Sequence, residues 1–203
     1  MFLFKCTHRF YTSKSVNLLE SRLKGKFVFS LDGCVALVTG AGQGVGRSIV
    51  TALAQQGARA VVVNDFYADR AEVVAQELRN EGLEASSVAA DVVDLASVQK
   101  MMQEVQRRYG ALHVLVNNAG NAGPGMLPAD LPMFAQTSPQ EWHKWLGTNL
   151  TGVMNCCHAA IPLLTQHDRG RIITVVSDAG RVGEAGYAVY SGAKAGAAGF
   201  MRA

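Results

Sequence analysis

From Leu31 onward, short apolar runs alternate with longer stretches in which apolar positions recur every three or four residues. The runs at 35–38, 60–64, 86–90, 113–117 and 171–176 are mostly valine-rich, as strands buried on both faces require. Helical periodicity predicts helices over 45–56, 68–81, 95–108, 139–166 with room for a break, and from 189 onward. Strand and helix in strict alternation predict a doubly wound α/β domain, a parallel sheet with helices on both faces. In the stretch SPQEW, Ser138 is placed to cap a helix, Pro139 to take its first position and Glu141 to reach back. The segment 121–139 holds four of the five prolines and reads as a long loop leaving the fourth strand, where it would cover a site at the strand ends.

Residues 1–30 break this pattern. They carry six cations, Lys5, Arg9, Lys14, Arg22, Lys24 and Lys26, against Glu20 alone; of the net charge of +3 this head holds +5, leaving −2 for the rest. The head is expected to be a poorly ordered extension, either an untidy start upstream of the domain or an organellar transit peptide. A cytoplasmic location follows from the first reading and a mitochondrial matrix location from the second. The mildly acidic remainder, without a basic stripe, gives no reason to expect nucleic acid. No apolar run approaches the length of a membrane helix. Cys6, Cys34, Cys156 and Cys157 lack both CxxC and zinc-ligand spacing, so reduced, buried thiols and no metal are expected. With 203 residues, one domain over 31–203 suffices.

The chemistry-bearing motifs sit where the pattern places strand ends. After the first strand comes TGAGQGVG, residues 39–46, running into a helix. Gly40, Gly44 and Gly46 spell TGxxxGxG, with Val45 where a strict GxGxxG would differ. Such a turn lets backbone amides and a helix N-terminus meet a pyrophosphate, or it is simply a tight strand-to-helix turn. Asp65, nineteen residues beyond Gly46, ends the second strand where a carboxylate would accept from ribose hydroxyls; a solvated turn acid is the alternative. A 2′-phosphate would meet like charge there, so NAD is preferred to NADP, with Arg70 as the opposing feature. Asp91 and Val92 follow the third strand, suited to adenine or to a turn and cap. VNNAG, with Asn117, Ala119 and Gly120, lets backbone pass a ribose or ties neighbouring strands.

Tyr190 and Lys194, four apart, share a helix face, and a nearby ammonium favours the phenolate of a tyrosine that otherwise titrates too high for acid/base work. Ser177 closes the fifth strand, and Asn149 lies in GTNLTG; turn hydroxyl and helix-kinking amide are their plainer roles.

Taken in order, TGAGQGVG, Asp65, Asp91-Val92, NNAG, Asn149, Ser177 and Tyr190-x-x-x-Lys194 resemble the short-chain dehydrogenase/reductase family over residues 31–203, nearest in look to its 3-oxoacyl-[acyl-carrier-protein] reductases. That resemblance implies a Rossmann-type doubly wound parallel sheet, an NAD or NADP cofactor and a secondary alcohol or ketone substrate, with a 3-oxoacyl or hydroxyacyl thioester as one form. It implies a catalytic set of Asn149, Ser177, Tyr190 and Lys194. Tyr190 would be general acid/base, Ser177 would orient the carbonyl, Lys194 would also bind the nicotinamide ribose, and Asn149 would support a proton relay. The implied cofactor site comprises Gly40, Gly44, Val45, Gly46, Asp65, Asp91, Val92, Asn117, Ala119 and Gly120, joined by Tyr190 and Lys194. A dimer or tetramer is implied for the complete protein, with the terminal helix against a second subunit. Family members continue past Lys194 into further strands, so the domain is read as incomplete at its C-terminus. An inactive fragment that retains nucleotide or subunit binding is the alternative function.

Overall fold

The computed structural model describes residues 31–121 and 131–203; the basic head and the middle of the proline-rich loop lie outside the described residues. Five strands run parallel in the order β3-β2-β1-β4-β5: β1 (Val35–Val38), β2 (Ala60–Asp65), β3 (Ala85–Ala89), β4 (Val114–Asn117) and β5 (Arg171–Thr174). The order doubles back between β1 and β4, and at such a reversal the connecting segments diverge and leave a crevice at the carboxyl ends.

Alternation along the strands divides the core in two. Ala36, Val38, Val61, Val63, Val114 and Val116 face α1 (Gly44–Gln55) and α2 (Ala68–Asn80), meeting Val50, Ala71 and Val74. Val35, Leu37, Val62 and Leu115 face the opposite way, onto α3 (Leu95–Tyr109) and α5 (Gly152–Leu164) through Met101, Val105, Val153 and Ala160. At β1, β2 and β4 both faces are therefore dry, which is why these strands read as continuous apolar runs. Each fully buried Val or Leu contributes about 1.5–3 kcal/mol.

The expected helix over 139–166 is broken. α4 (Pro139–Leu146) starts at the Ser138 cap, where the Glu141 carboxylate accepts from the Ser138 amide at 2.7 Å. It passes into a π-turn at Gly147–Thr151 and resumes as α5. Two short elements were not legible in the pattern: a 3-10 turn at Phe134–Gln136 and the four-residue α6 (Ala179–Val182) before α7 (Ala188–Phe200). No helix among the described residues is long and apolar enough to cross a membrane.

Candidate active site

The crevice is built first by locking the ends of β1 and β4. The Thr39 hydroxyl accepts from the amides of Asn118 (3.1 Å) and Ala119 (3.0 Å), and the Asn118 side chain donates to the carbonyls of Thr39 (2.9 Å) and Gly40 (3.0 Å). Gly40 turns here with φ +61°, and a Cβ on it would lie 2.8 Å from the Ala119 Cα. A Cβ on Gly46 would collide with the Asn118 amide and the Gly40 carbonyl. These glycines let the loop lie against the β4 end with nothing between. The N-cap of α1, Gln43, makes no side-chain cap, and no acid stands in the first turn, so the helix's leading amides are left for an outside acceptor.

Asp65 ties the second strand to the same loop. One carboxylate oxygen accepts from the Gly42 amide at 3.1 Å and the other from the Tyr67 amide at 3.1 Å. Gly42, absent from the expected site residues, is sterically required: its Cβ would stand 2.8 Å from Asp65 Oδ2. The Arg70 guanidinium lies 4.4 Å over the Tyr67 ring on the same rim. Asp91 serves its turn, accepting from the Val93 amide at 2.9 Å, and still lines the crevice beside Val92. The space enclosed is about 580 Å³.

Of the residues expected at the cofactor end, Gly40, Gly44, Val45, Gly46, Asp65, Asp91, Val92, Ala119 and Gly120 line this crevice. Asn117 does not. Its amide points inward, donating to Thr174 Oγ1 (3.2 Å) and Cys157 Sγ (3.3 Å), so it ties β4 to β5 and α5. Asn118, Asn121 and Thr148 line the crevice instead.

The reacting end gathers around Gly120. A Cβ there would be 2.8 Å from Asn149 Oδ1 and 3.3 Å from Lys194 Nζ, so both polar atoms share one small volume with the backbone. The π-turn widens the helix at Asn149 and aims its side chain across the sheet end. Asn149 Nδ2 donates to the carbonyls of Asn121 (2.8 Å) and Trp145 (3.0 Å), while its buried Oδ1 has no partner among the described residues. Lys194 donates to the Val175 carbonyl at 3.0 Å; burial pushes its ammonium below the ordinary lysine range. Its Nζ is 5.9 Å from the centre of the Tyr190 ring.

Ser177 stands past the end of β5, its hydroxyl accepting from the Ala179 amide at 3.2 Å. It opens α6, which packs on α7 at Gly180, where a Cβ would fall 2.9 Å from Lys194 Cβ. Asn149 and Lys194 thus meet at Gly120 and Tyr190 flanks Lys194, while Ser177 relates to them only through the packing of α6 on the helix that carries Lys194. Tyr190 also borders an apolar pocket of about 320 Å³ lined by none of the glycine-loop residues.

Comparison with known proteins agrees with this geometry. The family model for short chain dehydrogenases matches residues 34–203. A 3-oxoacyl-[acyl-carrier-protein] reductase of Staphylococcus aureus is 38% identical over 167 residues, covering 82% of this chain and 65% of that protein. A 2,3-dihydro-2,3-dihydroxybenzoate dehydrogenase of Bacillus subtilis is 33% identical, covering 85% and 63%. The chain thus spans less than two thirds of these relatives. Among solved structures, a gluconate 5-dehydrogenase from Burkholderia cenocepacia, in complex with NADP and tartrate, superposes with a TM-score of 0.74 at 32% identity, over 82% of this chain and 62% of that one. A metagenomic short-chain oxidoreductase in complex with NADP gives 0.77 at 33%, over 86% and 76%.

Proposed function

The chain belongs to the short chain dehydrogenase family, and on that premise we propose that it interconverts a secondary alcohol and a ketone using a nicotinamide dinucleotide, with Tyr190 as the acid/base. The observation that carries this reading is the meeting of two half-sites at one end of the sheet. A crevice floored by Gly40 and Gly46, neither with room for a Cβ, leads to Gly120, where Asn149 and Lys194 converge.

The residues present fit a dinucleotide. Gly40, Gly44 and Gly46 with the uncapped start of α1 suit the pyrophosphate, Asp65 the adenosine ribose, and Asp91 with Val92 the adenine. The bound cofactor would supply or take the hydride at the substrate's reacting carbon. Tyr190 would pass the proton to or from the substrate oxygen, and Ser177 would hold that oxygen. Lys194, buried beside Tyr190 with its ammonium pushed below the ordinary lysine range, would also hold the nicotinamide ribose. The unpartnered Asn149 Oδ1 is an acceptor left for a water linking Lys194 to solvent, which supports its place in a proton relay.

NAD is the cofactor proposed in preference to NADP. Asp65 presents a carboxylate where a 2′-phosphate would lie, although two solved neighbours carry NADP and Arg70 stands at the rim of the same crevice. A dimer or tetramer is proposed for the complete protein.

Titrating NADH and NADPH into the purified chain, and reading cofactor fluorescence, tests the cofactor half. Tighter NADH binding is expected, and absence of binding by either overturns the reading. Assay of ketone reduction tests the rest: Tyr190→Phe should abolish turnover and leave the NADH affinity within about twofold, since the phenol's proton is lost while the ring stays. If NADH binds and no ketone is reduced, the nucleotide-binding fragment replaces the enzyme.

A further inference from the structure

We propose that the pocket beside Tyr190 selects a substrate whose reacting carbon carries a flat aromatic ring. The inference deepens the dehydrogenase reading and rests on it. Two aromatic groups face the same space. On one wall Phe134 and Trp142 are stacked, ring centres 5.1 Å apart and planes 19° apart. On the other, Trp145, Tyr187 and Tyr190 meet edge to face, each pair of centres 6.0–6.2 Å apart at 66–68°. Tyr190 belongs to this second group, so whatever lies against Trp145 and Tyr187 also lies beside the tyrosine placed to move the proton.

Three polar side chains of the pocket are already engaged, whereas the Lys144 ammonium and the hydroxyls of Tyr187 and Tyr190 have no hydrogen-bond partner among the described residues. Trp142 Nε1 donates to Thr137 Oγ1 at 2.7 Å, that hydroxyl donates to the Phe134 carbonyl at 2.7 Å, and Glu141 is held by Ser138. Beside that ammonium and those two hydroxyls, ring faces and edges are what remain to meet a ligand. The volume of about 320 Å³ is at the small end for ligand sites and is enough for a compact ring. A rigid ring has little rotational freedom to lose on entry, whereas a flexible acyl chain loses a good deal. Aromatic pairs also gain attraction beyond the area they bury, which a saturated ring of the same carbon skeleton does not share. Trp145 is the positioning residue: its carbonyl accepts from the Asn149 amide at 3.0 Å, which anchors the ring's helix to the π-turn.

Both tryptophans of the chain, Trp142 and Trp145, line this pocket, so tryptophan emission reports its occupancy without any turnover. With NADH bound to the full chain, 1-phenylethanol and 1-cyclohexylethanol are titrated against that emission. The aryl alcohol is expected to bind at least about threefold more tightly. Trp145→Leu, read through Trp142, is expected to erase that preference while the NADH affinity, which depends on the other crevice, is unchanged; Tyr187→Leu, with its helix signal checked by circular dichroism, should erase it in the same way. Equal affinity for the two alcohols in the wild-type chain overturns the proposal, as does a preference that survives both variants. Failure of NADH to bind removes the dehydrogenase reading itself, whereas NADH binding without ring preference removes this inference alone.

Discussion

At single positions, the sign of a glycine substitution is set by what surrounds it. Gly46 and Gly192 both lie in helices, yet a Cβ on Gly46 meets Asn118 and the Gly40 carbonyl, while one on Gly192 meets nothing within 4 Å. Gly46→Ala should therefore destabilise by about 1–3 kcal/mol and weaken NADH binding, because the loop must move off the β4 end. Gly192→Ala should stabilise by about 0.5–1 kcal/mol, the ordinary gain of alanine over glycine inside a helix; chemical denaturation of the two variants checks both signs. Lys194 carries a second residue-level expectation. Its ammonium is pushed down from 10.5 by burial, so the unfolded chain binds that proton more tightly than the folded one. Stability from this group rises with pH between the lowered value and 10.5 and is flat outside that window. Lys194→Met should remove that rise from a denaturation series across alkaline pH and abolish ketone reduction; an unchanged pH slope would show that the lysine is better solvated than its surroundings indicate.

Between elements, β1 and β4 are joined at their start as well as their end. His113 Nδ1 accepts from the Val35 amide at 3.1 Å, and its ring stacks on His167 with centres 4.8 Å apart. Burial, followed by the charges of His167, Arg169 and Arg59, holds His113 below 6.5. The unfolded chain therefore takes up the proton first as pH falls, and stability drops between 6.5 and the lowered value. His113→Asn, whose oxygen can stand in for Nδ1, should give a shallower loss of melting temperature over mildly acidic pH than the wild type. The sheet that makes this pairing was legible because strands buried on both faces need unbroken apolar runs, and the observed strands start and stop within a residue or two of those runs. The choice between Asn117 and Asn118 was legible too, but was not drawn from the pattern. Asn117 follows Leu115 at a spacing of two and must share its face, towards α5, while Asn118 falls past the strand end into the crevice. What local pattern does not hold is α6 and the turn at Phe134–Gln136. Four and three residues cannot establish a period, and α6 depends on Gly180 resting against α7.

For the molecule as a whole, the two sheet edges differ in a way that bears on association. On the β3 edge, polar groups dominate: Arg79 donates to the Ala85 carbonyl at 3.1 Å and the Ser87 hydroxyl is bonded to Glu72. At β5, among the described residues, no strand pairs beyond Arg171–Thr174, and Ile173 is 51% exposed. An apolar, unpaired edge is a template for another strand, whereas an edge occupied by charges and hydroxyls is not. The chain is therefore expected to self-associate through β5. Sedimentation over a range of concentrations should show a mass that rises with concentration. Ile173→Lys should move it towards the single chain, because a cation on the edge resists pairing, while Ser87→Lys on the opposite edge should leave it unchanged. If both variants associate like the wild type, the contact lies elsewhere, and the helical faces that cover the sheet become the surfaces to alter next. Should Ile173→Lys alone dissociate the chain and retain NADH binding, the glycine crevice is independent of the partner, as expected from its position on β1, β2 and β4, away from that edge.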